Sequence, residues 1–128
     1  MYSFSSSAAA SGSLVRGTLM TNSIETATDD GTPRTLGSVL AGEALYAALH
    51  VTAVTGTNPT LDVVIESSAT GSFSGEETTR ITFTQADGIT SEWSSVAGAV
   101  TDTHWRVTWA IGGTDTPTFT FAVIAGIL

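Results

Sequence analysis

The chain has no cysteine. Disulfides, thiol nucleophiles and thiolate metal sites are therefore excluded. It has no lysine either. The four cations are Arg16, Arg34, Arg80 and Arg106, set against twelve carboxylates for a net charge of −8. A phosphate-binding surface needs clustered Lys or Arg, so no nucleic acid partner is expected. Charged residues make up 12% of the chain, about half the share of a typical soluble domain. No apolar run approaches the roughly 20 residues that span a bilayer, so no membrane partner is expected. Residues 119–128 read instead as a buried strand. The opening MYSFSSSAAASGSLVRG lacks both a basic n-region and an apolar h-region, so it does not read as a secretory signal.

Catalytic signatures are missing as well. In Gly71-Ser72-Phe73-Ser74-Gly75, Phe stands where a nucleophile elbow needs serine. There is no Walker loop, dinucleotide fingerprint or H-E-x-x-H. Asn58-Pro59-Thr60 is not a glycosylation acceptor, because proline occupies the middle position. The chain reads as a non-enzyme without cofactors.

What is present is hydroxyl and alternation. Thr and Ser stand where the missing charges would be, and β-branched, half-polar Thr covers strand surfaces well. A neutral surface of this kind is also easily buried against another protein, since no ammonium must be desolvated. The composition fits a subunit of an assembly and, equally, a β-rich extracellular domain with a polar coat. At 128 residues the chain is one domain with room for a core, burying roughly two-thirds of the surface its unfolded form exposes.

The clearest pattern lies in residues 103–128. Trp105, Val107, Trp109 and Ile111 alternate with polar or small residues, and so do Phe119, Phe121, Val123 and Ala125. Such period-2 alternation puts the large side chains on one face of a sheet. Gly112-Gly113-Thr114-Asp115-Thr116-Pro117 between them reads as the turn of a hairpin. Residues 60–67 and 78–85 read as further strands, with Leu61, Val63, Ile65, Ile81 and Phe83 inward. Residues 43–54 are rich in helix-favouring Ala and Leu, yet they alternate and lead into a turn at 55–59, so they read as strand. Residues 14–26 and 92–100 suggest less regular strands, 29–33 a turn, and 68–77 a loop pinned by Phe73. Seven or eight short strands with Gly-rich turns indicate an all-β, single-domain antiparallel β-sandwich, jelly-roll-like, over residues 14–128.

Residues 1–13, rich in Ser, Ala and Gly, read as a flexible N-terminal arm. Tyr2 and Phe4 near its tip suit docking on a neighbouring subunit. The alternatives are an inert terminus and a first strand of the sandwich. His50 and His104 could share a metal or acid–base site with Asp102 or Glu66, but two such ligands without spacing more readily read as surface or interface residues. Asp29-Asp30 and Glu76-Glu77 read as solvated turns, since no Ca²⁺-ligand spacing accompanies them. The three tryptophans could form a sugar-stacking platform. Trp105 and Trp109 read better as core, which leaves Trp93 the freer one. Arg106 is expected to pair with Glu66, Asp62 or Glu92.

The terminal segment also carries a resemblance. Trp105-Arg106-Val107, Gly113-Thr114-Asp115-Thr116-Pro117 and Ala125-Gly126-Ile127 resemble the last strands of the small decoration (cement) proteins of tailed-phage capsids. Residues 61–73, LDVVIESSATGSF, resemble the strand-plus-loop segment of that family. The resemblance covers residues 43–128. It implies a jelly-roll-like sandwich on the outer capsid surface of the virion, commonly a homotrimer, which partners the major capsid protein, bridges capsomers and stabilises the shell without catalysis. In that setting Tyr2, Phe4, Arg16, Arg34 and Arg106 are the expected assembly contacts. The alternatives are a phage tail or head-completion subunit, and a carbohydrate-binding β-sandwich.

Overall fold

The computed structural model describes residues 2–4 and 15–128, with side chains from residue 17 onward. The strands are β1 (Tyr2–Phe4), β2 (Val15–Glu25), β3 (Asp29–Asp30), β4 (Arg34–Thr35), β5 (Ala44–Ser68), β6 (Thr78–Thr82), β7 (Thr90–Ala97) and β8 (His104–Ile127). Every pairing among them is antiparallel. The fold is all-β, and no helix of the described residues is long and apolar enough to cross a membrane.

Two unusually long strands organise the molecule. β5 and β8, of 25 and 24 residues, pair along their whole length, from Leu45↔Ile127 to Ser68↔His104. Neither is straight. The Trp109 and Phe121 rings meet edge to face with centroids 5.5 Å apart, although an extended strand would separate residues twelve apart by roughly 40 Å. The paired strands therefore fold over at 55–59 and 113–117, and their two halves form opposite layers of a sandwich. The hairpin expected at 103–128 is corrected accordingly. Its two arms do not pair side by side; they face each other across the core, each hydrogen-bonded to a different half of β5.

The fold-over has a local cause. Gly56 and Gly113 have φ of +103° and +119°, which side chains rarely tolerate. A Cβ on Gly56 would lie 2.7 Å from Pro117 Cα, and one on Gly113 would lie 2.9 Å from the Asn58 carbonyl oxygen. Register shifts between Val51 and Ala53, Thr55 and Thr57, and Thr57 and Thr60 are the bulges that let both strands turn together. Across the bend the Thr55 and Thr118 hydroxyls lie 2.5 Å apart, and Thr57 Oγ1 donates to the Asp115 carboxylate.

One layer contains β2, residues 118–127 of β8, residues 44–54 of β5, and β7. The other contains β3 with β4, residues 104–112, residues 60–68, and β6. If the eight segments are counted in chain order, the first layer reads 1-8-3-6 and the second 2-7-4-5. This is the order of a jelly roll. Residues 29–33, expected as a turn, carry the short β3, whose Asp29 and Asp30 pair with Trp109 and Thr108.

The core lies between the layers. Leu45, Leu49, Val51, Leu61, Val63 and Ile65 of β5 meet Trp105, Val107, Phe119, Phe121 and Val123 of β8, all at most 1% exposed. The buried Trp105 and Trp109 indoles donate to the Gly37 and Ala27 carbonyl oxygens at 2.9 and 3.0 Å, so neither ring leaves an unmet donor in the core.

β1 pairs with the start of β2, Tyr2 opposite Gly17 and Phe4 opposite Val15. The tip of the expected arm thus folds back on its own chain. Residues 5–13 of that arm lie outside the described residues, as do the side chains of Tyr2, Phe4 and Arg16.

Candidate functional site

The outer face of the second layer is closed by the chain itself. Loop 69–77 lies over it and buries Phe73 to 6% exposure. Arg106 projects from β8 beneath that loop, its guanidinium carbon 4.5 Å from the Phe73 ring centroid. Arg106 Nε donates to Glu66 Oε1 at 2.9 Å, and its Nη1 lies 3.3 Å from Asp30 Oδ2. Of the partners expected from sequence, Glu66 is the one found. Asp62 accepts from Gln85 Nε2 at 2.9 Å, and Glu92 accepts from the Thr84 amide.

Glu76 ties the loop down. It accepts from Ser68 Oγ at 2.6 Å, from the Thr70 hydroxyl, and from the Thr70 amide at 3.3 Å. These bonds, the Ser68 hydroxyl first and the Thr70 hydroxyl next, hold its carboxyl below the usual carboxylate range. At the end of this layer Arg80 Nε donates to Ser67 Oγ at 2.8 Å, Ser67 donates to Asp102 at 2.7 Å, and Arg80 pairs with Asp102 at 3.2 Å.

The outer face of the first layer is different. Directly opposed residues in antiparallel strands share a face, so the register reads out its rows. One row runs Leu19, Ile124, Ala48, Trp93; the next runs Asn22, Ala122, His50, Ser91; a third runs Gly126, Tyr46, Ser95. Small residues form the floor, and Tyr46 and Trp93 stand over it with ring centroids 6.3 Å apart. Together with Gly17 and Gly126 they shape an apolar cleft of about 260 Å³. Trp93 is 70% exposed and Ile24, farther along β2, 69%. His50, whose Nδ1 lies 3.0 Å from Ser91 Oγ, is the one titratable side chain besides Tyr46 in these rows. A surface of this kind packs against apolar or aromatic groups.

The structure does not bring the two histidines together. His50 lies on the outer face of the first layer and His104, beside Gly71, on that of the second, so the shared site considered from sequence is corrected: the core separates them. Asp30 and Glu76 are engaged in the contacts above, Asp29 accepts from the Asp30 amide at 2.8 Å, and Glu77 accepts from the Gly75 amide at 2.9 Å. Among the described residues no group of three or more His, Cys, Asp or Glu could hold a metal ion. Arg34 is exposed on β4 opposite Trp105. Arg106 is engaged inside the subunit.

The cleft was only partly legible in the sequence. Trp93 stood apart from the core tryptophans, but the Ala and Gly positions that make the floor carry no signal until the register aligns them. No protein-family model matches the chain, and no curated protein matches it either.

Proposed function

We propose that this chain is a non-enzymatic virion structural protein that decorates the outer capsid surface and stabilises the shell by bridging capsomers, with the major capsid protein as partner. The observation that carries the reading is the outer face of the first layer, where Trp93 and Ile24 stand exposed beside a small-residue floor and no described loop lies across them. Exposed apolar patches rimmed by polar residues mark interaction surfaces. The jelly roll and the resemblance of residues 43–128 support the capsid setting. Four strands of seven residues cover about 450 Å², about half of what one partner contributes to a standard interface. The face therefore needs a second contact to hold on a particle, such as the exposed Arg34 or the segment before β2.

The test is co-purification with mature virions. The reading expects the protein in near-stoichiometric ratio to the major capsid protein, and expects Ile24→Lys to weaken that association. Recovery in the unassembled fraction alone would count against it.

A second reading, a carbohydrate-binding sandwich, is favoured by the Tyr46–Trp93 pair, since exposed aromatic rings can stack on sugars. Apart from the Tyr46 hydroxyl and the Trp93 indole, the cleft lining carries no polar side chain to orient sugar hydroxyls; His50 and Ser91 lie one row along. A glycan array reports on this reading directly.

A further inference from the structure

The free edge of the first layer has a property the other edges lack. β6 is five residues long, opposes a register shift in β5 and runs into the pinned loop. β3 and β4 are two residues each and are separated by Pro33. β2 carries a shift between Leu19 and Thr21, and β1 pairs with its start. Short strands, bulges and prolines are the devices that keep sheet edges from pairing with other chains. β7 has none of them. Its eight residues, Thr90–Ala97, hold an unbroken register with β5, from Ala44↔Ala97 to Val51↔Thr90. It contains no proline and no cation; its one charge, the inward-pointing Glu92, is held within the chain by the Thr84 amide. Among the described residues its outward backbone groups have no hydrogen-bond partner.

We propose that β7 is a pairing edge and that its partner is β7 of a second copy of this chain, joined antiparallel about a two-fold axis at Trp93. The sequence is self-complementary in that arrangement. A two-fold axis perpendicular to the sheet preserves faces, so residues of equal parity must oppose one another. Trp93 then meets Trp93 of the second copy, and Ser91 meets Ser95. On the inner face Glu92 meets Ser94, so no charge opposes a like charge. The exposed Trp93 gains an aromatic neighbour, the unpaired amides and carbonyls of the edge gain partners, and the two first layers become one continuous sheet. The joined sheet doubles the bare face, which makes up the area that one copy lacks for a standard interface.

The test is sedimentation equilibrium of the purified full chain with no particle present, so its outcome is independent of the capsid reading. The dimer requires a species of twice the 13.1 kDa chain mass, retained in Trp93→Phe and lost in both Trp93→Lys and Ser95→Lys. Circular dichroism checks that the lysine variants keep the β spectrum. A monomer at every concentration, a dimer that persists in both lysine variants, or the trimer implied by the family resemblance would each overturn the proposal.

Discussion

The two outer faces of this sandwich are built from the same two strands, yet they differ in nearly every respect. On the second layer, outward positions of β5 and β8 include Asp62, Glu66, His104 and Arg106, and a loop of the same chain closes over the Arg106–Glu66 pair while Asp62 stays exposed. On the first layer, outward positions of those strands carry Tyr46, Ala48, His50, Ala122 and Ile124, with no described loop laid across them. Inward positions of the two strands are apolar on both sides of the fold-over, down to the buried Ser67 at the end of β5. The core pattern thus continues through the fold-over while the outer pattern changes from charged to apolar. What changes is the expected cover: the chain's own loop on one side, another molecule on the other.

The largest effect should come from the core that both faces share. Phe121→Ala is expected to cost about 3–5 kcal/mol and to weaken both faces alike, as read by urea unfolding. A loss below about 1 kcal/mol would place Phe121 at the surface and undo the two-layer assignment.

Next comes the closed face. Arg106→Gln removes the pairs with Glu66 and Asp30 and the stack on Phe73. The side chains of Arg106 and Glu66 are 16% and 15% exposed, so the expected loss is that of charged hydrogen bonds, about 1.5–3 kcal/mol, rather than that of a fully buried pair. Amide exchange in loop 69–77 should rise with it. An unchanged loop would show that Phe73 alone closes this face.

A smaller, local effect concerns Glu76. Its carboxyl is held below its ordinary value in the folded state. Its contribution to loop order is therefore complete at neutral pH and is lost as pH falls through that lowered value. Loop exchange should accelerate in acid below the ordinary carboxylate range, and Glu76→Gln should remove most of that pH dependence. An identical acid profile in Glu76→Gln would assign the transition to another group.

The smallest effect on folding belongs to the bare face. In dilute, isolated chain, Trp93→Ser is expected to change stability by no more than about 0.5 kcal/mol. A loss above about 2 kcal/mol would mean that Trp93 supports the fold itself, and the contrast between the two faces would fail.

Much of this was legible in the sequence because alternation reports on burial. The rows Trp105, Val107, Trp109 and Phe119, Phe121, Val123 identified both the strands and the core, Phe73 was readable as a loop anchor, and Glu66 as a partner of Arg106. The joining of those strands was not legible. Gly-, Pro- and Thr-rich stretches at 55–59 and 112–117 look the same whether they end a strand or bend one, and only the paired register of β5 and β8 distinguishes the two. Asp30 could not be found as a partner of Arg106, because it comes to that side chain through β3, a strand of two residues with no periodicity to read. The helix-favouring alanines of residues 43–54 proved to include floor positions of an apolar face, where small size matters more than propensity.

In the working state, another molecule is proposed to cover the first layer's outer face. Hydroxyl-radical footprinting of the chain, in dilute solution and on native particles, tests it most directly. The account expects Trp93 and Ile24 to be strongly labelled in solution and protected on the particle, while the already buried Phe73 is weakly labelled in both. Equal labelling of Trp93 and Ile24 in the two states would contradict it.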